Sequence, residues 1–85
     1  MNEVLEKIQK IGIVPVVVLD DAKDAAPLAR ALCEGGLPCA EVTFRTAAAA
    51  DAIRKLSESG LDVCTGAGTV LTVEMAEKAV DAGAR

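Results

Sequence analysis

The sequence predicts an α/β chain, with an N-terminal helix followed by about three strand–helix units on a parallel sheet. Three observations carry this prediction. Glycines suited to helix ends fall at Gly36, Gly60 and Gly83, 24 and 23 residues apart. Between them a short apolar run, a polar turn and an alanine-rich stretch recur in that order. The apolar content, 52% of the chain, is almost all Ala, Val, Leu and Ile, with Phe44 the one aromatic. A strand, a helix and two loops of roughly 2–6 residues fill such a repeat. Repeated units of this kind imply parallel strands joined by right-handed crossovers. Small branched side chains suit those strands better than they suit a self-contained aromatic core.

The elements follow in order. Residues 2–10 mix charge with an apolar stripe, the pattern of an amphipathic helix. The run 13–19 is nearly all Val and Ile and reads as a strand buried on both faces. Asp20, Asp21 and Asp24 then offer caps and first-turn acids for a helix over 24–34, with Pro27 tolerated in its first turn. Leu28, Ala29, Leu32 and Cys33 share one side of that helix, and Gly35-Gly36 end it. A second strand over 38–45 leads through Thr46, as cap, into a helix over 47–59 with Ala49, Ile53 and Leu56 inward. A third strand over 62–66 leads through a loop to Thr72, as cap, and a helix over 73–82 with Val73, Ala76 and Val80 as its apolar stripe. A fourth strand is expected to begin at Arg85. The whole reads as one segment, 1–85, without an internal linker.

Composition narrows the function classes. The net charge is −4 and no basic stripe exists, which argues against a nucleic-acid partner. No apolar run approaches the roughly 20 residues of a membrane span, and the N-terminus does not read as a signal peptide. Cys33, Cys39 and Cys64 are odd in number and lack a CxxC spacing, so they read as reduced, packed residues of a cytoplasmic protein. With no histidine and no clustered cysteine, a metal site is not expected, and no cofactor is expected.

The second strand carries the chemistry. Side chains alternate along a strand, so Ala40, Val42 and Phe44 share one face and Glu41, Thr43 and Arg45 the other. Charge on a strand flanked by two others costs several kcal/mol at least unless something answers it. An ion pair to Glu41, a polar site at the strand ends, or an open solvent-facing sheet would each account for it. Glu41 is the natural general acid or base in a segment without histidine.

Thr65-Gly66-Ala67-Gly68-Thr69 is the other feature. Two glycines at a strand end allow a tight turn and close approach of a ligand to the backbone, though an ordinary strand–helix turn needs no more. The pattern is neither a dinucleotide fingerprint nor a phosphate-cradling loop. Lys7, Lys10, Lys23, Lys55 and Lys78 all fall on predicted helices or their margins, so none is a candidate Schiff-base amine.

Taken in order and spacing, Val14-Pro15-Val16-Val17-Val18, Glu41-Val42-Thr43-Phe44-Arg45-Thr46 and Gly66-Ala67-Gly68-Thr69-Val70-Leu71 resemble the N-terminal part of bacterial 2-keto-3-deoxy-6-phosphogluconate (KDPG) and 4-hydroxy-2-oxoglutarate (KHG) aldolases. Ala31-Leu32-Cys33-Glu34-Gly35-Gly36 and Ala82-Gly83-Ala84 resemble the family's helix ends. The resemblance implies a (β/α)₈ TIM barrel and a metal-free class I lyase of carbohydrate metabolism. Such an enzyme cleaves KDPG to pyruvate and glyceraldehyde 3-phosphate, or KHG to pyruvate and glyoxylate, through a lysine Schiff base. It implies a cytoplasmic homotrimer. It also implies Glu41 as the general acid/base, Arg45 as the binder of the substrate carboxylate, Thr69 as a wall of the pyruvate pocket, and Gly66 and Gly68 as pocket backbone.

A closed barrel of this kind takes roughly 250 residues, ~200 at the short end, so 85 residues form an incomplete barrel. By the resemblance, the Schiff-base lysine and the phosphate-holding loops belong to later strands. The segment alone is therefore expected to be inactive. A partial-barrel scaffold that self-associates through its open edges is the alternative reading, and another sugar-phosphate barrel, such as an epimerase, is a weaker third.

Overall fold

The computed structural model describes residues 3–85. Its elements are α1 (Glu3–Ile11), β1 (Val16–Val17), a 3₁₀ turn (Ala22–Asp24), α2 (Ala25–Glu34), β2 (Cys39–Thr43), α3 (Ala49–Ser57), β3 (Cys64–Gly68) and α4 (Val73–Ala82). Met1 and the predicted first helical residue, Asn2, lie outside the described residues. The strands form one parallel sheet in the order β1-β2-β3. The sheet is open: three strands stand side by side, and the backbone N–H of Arg85 donates to Thr65 O at 2.8 Å along the outer edge of β3.

Val42 at the centre of the sheet sets the core. It packs with Ala25 and Ala29 of α2 and with Ala49, Ala52, Ile53 and Leu56 of α3. The alanines let the helices settle close to the strands, and Ile53 and Leu56 fill the remaining space. Val17, Phe44 and Ala67 join from the same side. Helices α2, α3 and α4 therefore lie on one side of the sheet, and the face bearing Cys39, Glu41 and Thr43 is turned away from them, with Val4 and Ile8 of α1 near its Cys39 end.

Several local expectations change. The β1 ladder is confined to Val16–Val17, although Pro15 O still accepts from Glu41 N at 2.9 Å. Pro15 has no N–H to give, and β1 pairs with a single neighbour. Nor is this run buried on both faces. Val14, Val16 and Val18 alternate onto the open side, where Val16 is 58% exposed.

The cap expected at Thr46 is absent. Helix α3 begins later, after Ala48, without a side-chain cap. The Thr46 hydroxyl instead donates to Leu19 O at 2.6 Å and ties the exit of β2 to the exit of β1. The stripe expected on α4 is also wrong. Val73 and Val80 are 75% and 69% exposed, while Ala79 and Ala82 are buried. The smaller side chains win because they allow α4 to lie close beside α3.

Other termini follow the local chemistry. Thr72 Oγ1 accepts from Met75 N at 3.1 Å, capping α4. Asp21 caps the 3₁₀ turn through Lys23 N at 3.0 Å. Pro27 is the third residue of α2, in the turn where no intrahelical N–H is needed.

Candidate active site

Glu41 sits at the middle of β2 and is half-buried. Its register partners are Val16 on β1 and Gly66 on β3. The side chain does not stand over Gly66. It leans one layer further along the strands and lies on Gly68, where an added Cβ would collide with the carboxylate and come within 2.9 Å of Cγ. That lean points the carboxylate toward the C-terminal ends of the strands. The lean is possible because position 68 has no side chain.

Thr43, the register partner of Gly68, is 1% exposed. Its hydroxyl is buried without a hydrogen-bond partner. Arg45 lies past the last paired residue of β2 and is exposed. The ladder reaches one residue beyond the strand, since Phe44 N donates to Gly68 O at 2.8 Å. Arg45 and Thr69 therefore emerge from adjacent strands at the same end of the sheet.

The glycines act differently from the expected turn. Gly66 and Gly68 are both paired strand residues, because β3 runs to Gly68 and not to residue 66. The bend falls on Thr69, which adopts a left-handed backbone with φ 54°, the one non-glycine among the described residues to do so. A β-branched residue is poorly suited to that conformation, and such strain gathers at ligand sites and tight turns. Nothing in the sequence marks Thr69 for it.

The ion-pair explanation for Glu41 falls away. Among the described residues the ion pairs are Lys23–Asp21 at 3.5 Å and Lys78–Glu74 at 3.4 Å, both on exposed helical surface. Lys7, Lys10, Lys23, Lys55 and Lys78 are all exposed on helices or the 3₁₀ turn. Among the described residues, no group of three or more His, Cys, Asp or Glu side chains is placed to hold a metal ion. No helix there is long and apolar enough to cross a membrane.

A carboxylate leaning toward the strand ends, with an arginine and a strained threonine emerging there, matches the position of chemistry in (β/α)₈ barrels. The sequence profile of the KDPG and KHG aldolase family matches residues 4–85. The chain belongs to the KDPG/KHG aldolase family. It is 51% identical over 85 residues to the 2-dehydro-3-deoxy-phosphogluconate aldolase of Treponema pallidum, covering 100% of this chain and 40% of that one. The Haemophilus influenzae aldolase is 49% identical over 83 residues, covering 98% and 39%.

Solved aldolases agree in fold. The KDPG aldolase of Zymomonas mobilis superposes with a TM-score of 0.80 at 41% identity, over 91% of this chain and 39% of that one. The Legionella pneumophila enzyme, captured with pyruvate as a covalent carbinolamine intermediate, gives a TM-score of 0.79 at 44% identity, over 85% and 35%. The chain thus spans about 40% of the length of the curated relatives it matches. It is the N-terminal portion of the aldolase fold, and its sheet is the unclosed beginning of the TIM barrel.

Proposed function

We propose that this chain supplies the proton-shuttling and carboxylate-binding half of a Schiff-base aldolase site, which works as part of a complete barrel. The observation that carries the reading is the carboxylate of Glu41 leaning over Gly68 toward the strand ends where Arg45 and Thr69 emerge. Arg45 offers the planar fork that pairs with a carboxylate through two parallel hydrogen bonds, and so binds the keto-acid end of the substrate. Thr69 lines the pyruvate pocket, with the backbone of Gly66 and Gly68 beside it. Glu41 takes the proton of the substrate's 4-hydroxyl as the C3–C4 bond breaks and returns a proton to C3 of the enamine.

The substrate is KDPG, giving pyruvate and glyceraldehyde 3-phosphate, or KHG, giving pyruvate and glyoxylate. The covalent carbinolamine of the Legionella relative supports a reactive amine as the electron sink. The lysines of this chain sit exposed on helices or on the 3₁₀ turn and none lies on a strand, so that amine comes from a later strand and the 85-residue chain alone does not cleave. No metal or other cofactor takes part. The complete enzyme works in the cytoplasm as a homotrimer, without nucleic-acid or membrane partners.

The test joins this segment to the remaining strands of the barrel and follows pyruvate release. Glu41→Gln is expected to lower kcat by about 10²–10⁴-fold, the range that positioned acid–base groups contribute. An unchanged rate would remove Glu41 from the mechanism. A pyruvate adduct trapped by borohydride on the 85-residue chain would place the amine within it.

The exposed valines of the open face favour a second reading, a partial barrel that associates with itself. Val14, Val16 and Val18 present a contiguous apolar strip beside an unpaired strand edge. Light scattering decides: a monomer at high concentration with cooperative unfolding counts against it.

A further inference from the structure

The end of the open face opposite Glu41's lean carries a feature that the aldolase reading leaves unused. Cys39 and Cys64 are register partners on β2 and β3. Neighbouring strands lie about 4.8 Å apart, inside the span of about 4.4–6.8 Å between the Cα atoms of a disulfide. Both side chains point away from the helical layer. Both line one cavity of about 150 Å³, closed on one side by Val4 and Ile8 of α1 and bordered by Arg85. The two sulfurs differ. Cys39 is buried and its Sγ donates to Ile13 O at 3.3 Å, whereas Cys64 is partly exposed. Burial, and then the neighbouring Cys64, push the Cys39 thiol up, which keeps its proton in place. Cys33 stands apart on α2.

We propose that Cys39 and Cys64 form a redox modification site, which a small hydroperoxide converts to a reversible cross-strand disulfide. The Cys64 thiolate attacks one peroxide oxygen. An S–O bond forms, the O–O bond breaks, and the second oxygen leaves as hydroxide or alkoxide, which takes up the proton that Cys64 gave to solvent and departs as water or an alcohol. The Cys39 sulfur then attacks the Cys64 sulfur. An S–S bond forms, the S–O bond breaks, and the departing hydroxide takes the Cys39 proton to leave as water. Two electrons pass from the sulfur pair to the hydroperoxide.

Arg85 and Glu41 both line the cavity with the two cysteines. A cavity of about 150 Å³ has room for hydrogen peroxide or a short alkyl hydroperoxide. Parallel strands hold paired Cβ atoms wider than the about 3.8 Å of a relaxed bridge. The bond is therefore strained and readily reduced, as regulatory disulfides are.

The reduced 85-residue chain is treated with hydrogen peroxide, alkylated, digested and mapped by mass spectrometry. Cys39 and Cys64 are expected to lose alkylation together and to appear as a linked peptide pair that dithiothreitol releases, with Cys33 still alkylated. In Cys39→Ala, Cys64 is expected to halt as a sulfenic acid that dimedone traps. Oxidation of Cys64 to sulfinic acid while Cys39 remains a free thiol overturns the proposal. So does a bridge that involves Cys33 or links two chains. The unsubstituted chain supplies the deciding readout, so the proposal does not depend on the variant folding.

Discussion

The side chain of Glu41 lies across Gly68, one strand over and one layer nearer the strand ends than its own register partner. The glycine is in an extended strand, so the backbone does not call for it. The space above it does, because the carboxylate occupies the volume a Cβ would take.

Gly68→Ala should therefore separate stability from catalysis. The colliding atoms are the far end of a flexible side chain, which can swing aside. Gly66→Ala, with nothing within 4 Å of the added carbon, is the control for stability. Both variants are expected to unfold in urea within about 1 kcal/mol of the parent. In the complete barrel Gly68→Ala is expected to lose about 10²-fold in kcat, as a misplacement of order 1 Å can cause. A parental rate would mean that the placement of the Glu41 carboxylate does not matter.

Gly83→Ala is expected to behave in the opposite way. Gly83 ends α4 with φ 113°, and an added Cβ would strike Ser57. Ser57 cannot step aside freely, since its hydroxyl lies 3.0 Å from Ile53 O and 3.1 Å from Ala82 O and holds the end of α3 to the end of α4. A left-handed backbone and a displaced hydrogen bond together predict a loss of about 1–3 kcal/mol in urea unfolding. A neutral result would show that the end of α4 rearranges.

The exposed side of α4 gives a third expectation. Val73→Lys and Val80→Lys should each change stability by no more than about 0.5 kcal/mol, as surface changes do. Ile53→Ala, which empties the centre of the core, should cost about 2–5 kcal/mol. If Val80→Lys costs as much as Ile53→Ala by chemical denaturation, α4 packs through the other face in solution.

The raised Cys39 thiol sets a pH dependence. An acid whose folded pKa lies above its unfolded value leaves the native chain holding the proton longer, so stability falls as pH rises past the unfolded value. That contribution is complete below the ordinary thiol value of 9.0 and is lost above it, through the higher folded value. Urea midpoints are expected to decline on the alkaline side of that value. Cys39→Ala should flatten this decline, and an unchanged slope would assign it to other groups.

Much of this was legible locally. Alternation placed Glu41 and Thr43 on one face and Val42 on the other because strand side chains repeat every second residue. Thr72 read correctly as a cap because its partner, Met75 N, is three residues away. Thr46 has the same cap-like appearance and did not cap. Its partner, Leu19 O, is 27 residues distant and became available only when β1 and β2 aligned. The α4 stripe failed for a related reason: helical periodicity marks Val73 and Val80 as one apolar side, but how closely α4 can approach α3 decided that Ala79 and Ala82 would be buried.

Composition and period thus established the order of helices and strands, the parallel sheet and the polar face of β2, all of which follow from bonds and side-chain geometry within a few residues. The lean of Glu41 over Gly68, the left-handed Thr69 and the pairing of Cys39 with Cys64 came from the alignment of separate strands. Each depends on atoms that the chain brings together from two different strand–helix units or at the junction where one strand must end. No local pattern encodes which residue will stand opposite another until the register is formed.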